Sequence, residues 1–328
     1  MKKHLISLVS KQTIPNALFI NEAKDVDDYL FIYTDWVEVQ LHQIIDAVQL
    51  PSNMVSVLKV EPNNLKSIKQ ELGSQGFLEE DEFVVNITGG TKITVLAAYQ
   101  FFSQFKNVRL IYLPIGENSF MEIYPENKES KALDYRLDIR EYLACHGFKM
   151  IRCESGLVRS ENYTQQFMAA FMGQVIPKEG YELFGLLRQR QYDHKKIIHP
   201  NKVMEDQGLE ILKKIDFLSA GQTKINNAEK NYLIGGWLEE YVFSMVQKEL
   251  GLEAKFLSHS VEISEGQAKN EIDVFFVLNN TAYLIECKTG LNSKAFSPTI
   301  YKQSAFRDKL GKDTRHILFS LSDFSDKD

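Results

Sequence analysis

Three residues near the C-terminal end hold the most specific chemistry in this chain: Asp273, Glu286 and Lys288. Asp273 lies in the run Asn270-Glu271-Ile272-Asp273-Val274, and Ile285-Glu286-Cys287-Lys288 follows after twelve residues separate Asp273 from Glu286. Alternate side chains of a strand share a face, so Glu286 and Lys288 point one way and Ile285 and Cys287 the other, apolar way. A tight turn at Asn279-Asn280-Thr281 would bring Asp273 alongside. Two carboxylates and an ammonium then converge, the set that phosphodiester hydrolysis needs. Carboxylate oxygens are the hard ligands that Mg2+ or Mn2+ prefers, and such an ion polarises the phosphoryl group and acidifies an attacking water. Lys288 would orient that water or stabilise the negative charge added in the transition state. The helix after Gly235-Gly236 offers a further carboxylate, with Glu239 the first choice for an extra ligand and Glu240 the second. The expected catalytic set is Asp273, Glu286, Lys288 and Glu239, with Asp273, Glu286 and Glu239 on the metal. A surface ion-pair cluster is the rival reading, and it leaves a carboxylate and a lysine at apolar strand ends without a reason.

A second constellation stands earlier, at Asn86-Ile87-Thr88-Gly89-Gly90-Thr91-Lys92, after an apolar strand and at the start of a helix. Glycines let backbone approach an anion, and the free N–H groups of a helix start bind phosphate. The loop lacks the spacing of a Walker A loop and of Gly-x-Gly-x-x-Gly, which disfavours generic nucleotide binding. Compatible residues close other strands: Ser10-Lys11-Gln12-Thr13-Ile14-Pro15-Asn16 and Pro114-Ile115-Gly116.

The elements that must position these groups fall into two patterns. Strand-like and helix-like stretches alternate over Leu5 to Val9, Trp36 to Val48, Val55 to Val60, Asn64 to Leu72, Phe83 to Asn86, Lys92 to Phe105 and Val108 to Leu113. That alternation predicts β-α-β units and an α/β, doubly wound sheet, whose ligands sit at the carboxyl ends of the strands. From about 135 to 230 the pattern is richer in helix, with Tyr163 to Met172 and Tyr181 to Arg190 as candidates, and we expect a connecting region. Beyond it come a helix (Gly236 to Leu250), two strands (Glu271 to Leu278 and Ala282 to Lys288), a helix (about Thr299 to Leu310) and a strand (His316 to Leu321).

Composition narrows the setting. The 328 residues, 44% hydrophobic, suffice for two domains, and no apolar window reaches the length of a membrane span. Three cysteines and no secretory segment argue against a disulfide framework, so the expected location is cytoplasmic. A net charge of −6 gives no global attraction to nucleic acid. A local basic stretch is available, with seven Lys/Arg against three acids from Ile285 to Arg315. We expect Cys145-His146 and Cys153 to serve packing and surface, Cys287 to be a small buried hydrophobe, and Trp36 and Phe101-Phe102 to be core. His194, Lys195, Lys196 and His199 are expected on a solvated face.

The C-terminal arrangement resembles the PD-(D/E)xK nuclease superfamily, with Ile272-Asp273 in place of the literal Pro-Asp. Gln303 is similar to a glutamine that some members place near the metal. The N-terminal part resembles a CARF domain, the Rossmann-like sensor of cyclic oligoadenylates in type III CRISPR immunity. Together the two ends resemble the CRISPR ancillary nucleases that join these domains. The resemblance implies a CARF domain over 1–140, a helical connecting region over 141–230 and a restriction-endonuclease-like α/β/α domain over 231–328. It implies a homodimer holding one cyclic tetra-adenylate, with Ser10, Gln12, Thr88, Gly89, Gly90, Thr91, Lys92 and Gly116 as ligand-binding positions. It further implies a Mn2+- or Mg2+-dependent endonuclease for single-stranded DNA and RNA, with nicking of supercoiled DNA as a further activity. A regulatory module with a degenerate nuclease, and a CARF domain that degrades its own activator, are the alternatives.

Overall fold

The computed structural model describes residues 1–191, 207–219, 221–222, 224–289, 309–311 and 313–321. Its N-terminal half alternates strand and helix as the sequence pattern predicts, with a further helix and strand between the first strand and the helix after Trp36. The order begins β1 (Lys3–Leu8), α1 (Ile14–Glu22), β2 (Asp28–Tyr33), α2 (Glu38–Val48), β3 (Val55–Lys59) and α3 (Leu65–Gly73). It continues with β4 (Glu82–Asn86), α4 (Lys92–Phe102), β5 (Val108–Tyr112), β6 (Ser119–Tyr124) and β7 (Lys131–Ala132). These strands form one sheet in the order β3-β2-β1-β4-β5-β6-β7, parallel up to β5 and antiparallel beyond. Chain direction across the sheet reverses between β1 and β4, which makes that junction the place where a ligand crevice opens.

Both faces of this sheet are covered, so its strands carry apolar residues on both sides. Ile6, Leu30, Phe83 and Val85 meet Ile68, Leu72, Ala97 and Phe102 of α3 and α4. Leu5, Tyr29, Phe31 and Val84 face α1 and α2 on the other side.

The second half runs α5 (Ile139–Cys145), β8 (Lys149–Glu154), α6 (Glu161–Met172), α7 (Lys178–Gln191), α8 (Gln207–Lys214) and α9 (Asn227–Asn231). It ends with α10 (Trp237–Leu250), β9 (Leu257–Glu265), β10 (Ala268–Leu278), β11 (Thr281–Lys288) and β12 (Arg315–Ser320). Its sheet has the order β12-β11-β10-β9-β8, with only the β11–β12 pair parallel. Strand β8 comes from the stretch expected to connect the domains, and it pairs with β9 at the edge of this sheet. The helix expected over about Thr299 to Leu310 falls, except for its last two residues, outside the described residues, as do Gln303 and His194 to His199.

One hydrophobic cluster joins the halves. Ile20, Leu41, Ile44 and Leu143 of α1, α2 and α5 pack with Phe275, Val277 and Leu284 of β10 and β11. The opposite face of the second sheet receives Trp237, Leu238 and Val242 of α10 against Val274, Ile285 and Cys287. The molecule is therefore a stack: α3 and α4, first sheet, α1, α2 and α5, second sheet, then α6 to α10. Among the described residues no helix is long and apolar enough to cross a membrane.

Candidate active site and sensor cleft

The β10–β11 hairpin brings the acidic and basic groups together. Asn279 and Asn280 take φ of 51° and 61°, the left-handed pair of a two-residue turn that favours asparagine. With Val274 opposite Ile285, Asp273 stands across from Glu286. Asp273 Oδ2 accepts the Cys287 N–H at 2.7 Å and the Lys288 ammonium at 3.4 Å. Lys288 Nζ also reaches Glu286 Oε1 at 2.6 Å. Burial alone would lower the pKa of Lys288, but Asp273 and Glu286 outweigh it and leave the ammonium favoured. Cys287 lies on the opposite, apolar face, where burial pushes its thiol pKa up. All three cysteines are free.

Helix phase separates the two candidate glutamates of α10. Glu239 faces the cluster, accepting a hydrogen bond from the Ser260 hydroxyl at 3.1 Å. Burial first, then the charge of Asp273, pushes its pKa up to about 8, against the opposing pull of Ser260 and Lys288. Glu240 points elsewhere, accepting the Val158 N–H at 3.0 Å and the Arg159 backbone N–H at 3.5 Å. Ser260 was not foreseen. It adopts φ of 48° inside β9, between the pairs Val261–Ile272 and His259–Val274 that flank Asp273. A serine in a strand gives no sequence signal for that role.

The donor set fits a hard divalent cation in chemistry: Asp273 and Glu286 share the charge of one ammonium, and burial together with Asp273 drives Glu239 toward protonation. As placed, no three His, Cys, Asp or Glu side chains among the described residues are gathered closely enough to hold a metal ion. Of the basic stretch, Lys288, Lys309 and Arg315 are among the described residues, and Lys309 is paired with Glu265.

At the other end, the loops after β1, β4 and β5 meet where the first sheet reverses. Asn86 Nδ2 donates to Asn16 Oδ1 at 3.1 Å, and Asn16 Nδ2 to the Leu8 carbonyl at 3.2 Å, so two buried asparagines lock the first two loops together. Much of the Thr88–Lys92 run has an internal task. Thr88 Oγ1 accepts the Leu113 N–H at 2.8 Å, and Thr91 caps α4 through the Thr94 N–H at 3.1 Å. A Cβ on Gly89 would stand 2.1 Å from the Leu8 carbonyl oxygen, so this glycine permits a close backbone approach. Lys92 is exposed in the first turn of α4. Ser10 closes a small turn with Gln12, accepting its N–H at 3.3 Å.

Five of the predicted ligand positions divide between two clefts, and Thr88, Gly89 and Lys92 border neither of them. Ser10, Gly90 and Thr91 border one of about 220 Å3, together with Lys11, Thr34 and Trp36. Gln12 and Gly116 border another of about 680 Å3, whose far wall includes Asn280 and Leu310 of the second half. Trp36 corrects the expectation that it is core, because its indole is 67% exposed; Phe102 is fully buried as expected. The helical signal from Trp36 onward belongs to Val37, Leu41, Ile44 and Ala47, and Trp36 precedes α2 in a turn of its own.

A doubly wound sheet stacked on a second sheet that bears two carboxylates and a lysine is the arrangement of a two-domain nuclease. Residues 4–142 match the family model of the Card1 CARF domain, and residues 226–324 match that of the Card1-like endonuclease domain. The chain thus carries a CARF domain first and an endonuclease domain second. Among solved structures, Can2 from Sulfobacillus thermosulfidooxidans in complex with cyclic tetra-adenylate is 21% identical with a TM-score of 0.73, over 99% of this chain and 91% of that one. Protein VC1899 from Vibrio cholerae is 20% identical with a TM-score of 0.74, over 99% and 90%. A type III CRISPR defence DNA nuclease activated by cyclic oligoadenylate is 16% identical with a TM-score of 0.56, over 97% of this chain and 45% of that one. At these identities the likeness is one of fold. No curated protein sequence matches the chain.

Proposed function

We propose that this chain is a metal-dependent endonuclease of type III CRISPR defence, activated by cyclic tetra-adenylate and acting on single-stranded DNA and RNA, with nicking of supercoiled DNA as a further activity. The observation that carries the reading is the convergence of Asp273, Glu286 and Lys288 within the Card1-like endonuclease domain. The CARF domain supplies the class of activator, and the fold shared with a complex of cyclic tetra-adenylate favours that ring size.

In this reading the hairpin fixes the reacting groups before substrate arrives. The Cys287 N–H holds Asp273 in place, and Ser260 steadies Glu239. Lys288 places a positive charge beside the scissile phosphate, where negative charge accumulates in the transition state. Asp273, Glu286 and Glu239 would hold Mg2+ or Mn2+, which supplies polarisation of the phosphoryl oxygen and a more acidic water. Activation follows from a homodimer. A cyclic tetranucleotide has two-fold symmetry of its own and suits an isologous interface between two CARF domains. It switches the enzyme on to the extent that it binds the active dimer more tightly than the resting one; a shift from 1:99 to 99:1 needs about 10⁴-fold.

The test mixes the protein with Mn2+ and single-stranded DNA or RNA, with and without cyclic tetra-adenylate, beside Glu286→Ala. Cleavage is expected with the ring alone and only in the wild type. Equal cleavage without the ring sinks the switch, and an active Glu286→Ala sinks the site.

A further inference from the structure

Trp36 occupies an unusual position for an indole. It stands in the short turn Asp35–Val37 after β2, exposed, while Thr34 and Val37 on either side are buried. The turn is tied down by an ion pair between Asp35 and Lys59 at the end of β3. Trp237, the other tryptophan, is buried in the second half. A large aromatic face left in water beside a concave surface marks recognition rather than packing.

The surface beside Trp36 is the cleft of about 220 Å3, at the carboxyl ends of β1, β2 and β4. In a doubly wound sheet this is the edge where ligands sit. Around the indole the cleft gathers Lys11, Ser10 and Gly90. An aromatic platform next to an ammonium takes a base on its face and a phosphate beside it. Drug-sized sites run to roughly 300–1,000 Å3, so this smaller cleft suits one base.

We infer that Trp36 stacks on one nucleobase of the ligand bound by the CARF domain, the flanking phosphate lying toward Lys11. The inference rests on the sensor reading proposed above and adds to it the residue that holds a base.

The chain's two tryptophans make the test direct, because only Trp36 is open to water. Cyclic tetra-adenylate is titrated into the full-length protein while calorimetry reports binding and tryptophan emission reports Trp36. The expected result is quenching of the solvent-exposed emission that saturates with the calorimetric signal, with loss of acrylamide access. Trp36→Phe should abolish the emission change and bind within a few-fold of wild type. Trp36→Ala, folded by circular dichroism, should bind about tenfold more weakly or worse, as expected when one base loses its aromatic partner. Binding with unchanged emission overturns the inference and spares the sensor reading, as does wild-type affinity in Trp36→Ala. An emission change that follows protein concentration instead of ligand places Trp36 between copies of the chain and also overturns it. No binding by the wild type removes the sensor reading, and the inference falls with it.

Discussion

Asn280 donates from Nδ2 to Asn118 Oδ1 at 2.6 Å, tying the turn of the β10–β11 hairpin to the loop that leaves β5. The grip is two-way. Asn118 Nδ2 returns a bond to the Asn279 carbonyl at 2.8 Å, and Asn280 Oδ1 accepts the Leu137 N–H at 2.8 Å. Asn118 borders the larger cleft with Gln12 and Gly116, and the hairpin it holds carries Asp273, Glu286 and Lys288. From turn to Lys288 is about 25 Å of strand at ~3.3 Å per residue, a stiff paired lever.

Breaking that grip should weaken the link between the domains. Asn118→Ala and Asn280→Ala are each expected to lower stability by about 1 kcal/mol in urea unfolding. The pair should be non-additive by about 0.5 kcal/mol or more, since each removes the other's partner. The ratio of cleavage with and without cyclic tetra-adenylate should fall in both. Strict additivity with an unchanged ratio would show that the asparagines act independently of the switch.

Lys288 pairs with two facing carboxylates and offsets half of their charge. Lys288→Ala should therefore lower the melting temperature by a few degrees at neutral pH, and millimolar Mn2+ should raise it further in the variant than in wild type. Cleavage should fall about 10²-fold or more, the loss of a group that stabilises transition-state charge. A variant with full activity, or no differential response to Mn2+, contradicts the placement.

Glu240 provides a pH signature apart from the catalytic groups. Burial raises its carboxyl to about 7 from the ordinary 4.5, the Val158 and Arg159 amides offsetting only part. Between those values the folded state holds the extra proton, so this group's contribution is full below 4.5 and is lost as pH rises through about 7. Glu240→Gln should flatten the decline in melting temperature between pH 5 and pH 8. Parallel curves for the two proteins would remove Glu240 as the source.

Two glycines should respond differently to alanine. Gly89→Ala drives a Cβ to 2.1 Å from the Leu8 carbonyl oxygen and should cost about 3 kcal/mol or more, or prevent folding. Gly116 has φ of 78° and open space around it, so Gly116→Ala should cost only about 1 kcal/mol. Similar losses at the two sites, read by urea unfolding, would contradict the close approach at Gly89.

Periodicity made β1, α2, α3, β4, α4, β5 and the β10–β11 hairpin legible, because each has a clear apolar pattern and turn residues at its ends. Helix α1 was not expected. Pro15 reads as a break, yet proline is welcome in a first helical turn, and burial of Asn16 to Ile20 hides any amphipathic stripe. Strand β8 was hidden because its side chains are mostly exposed at a sheet edge. In the site, Asp273, Glu286 and Lys288 could be read from strand alternation, whereas the choice of Glu239 over Glu240 needed the helix phase. Ser260 needed the left-handed kink of β9. The task of Gly89 needed β1 beside it, and the exposure of Trp36 needed the turn before α2.

The cluster shared by α1, α2, α5 and the β10–β11 hairpin bears on how such proteins diversify. Neither half owns that cluster, so a cut between them would leave Phe275, Val277 and Leu284 of one fragment and Ile20, Leu41 and Ile44 of the other facing water. A chimaera that gives this CARF domain a foreign output domain would have to supply a matching apolar sheet face. New pairings of input and output in this architecture are therefore constrained by side-chain fit at that buried seam as well as by the chemistry at either end.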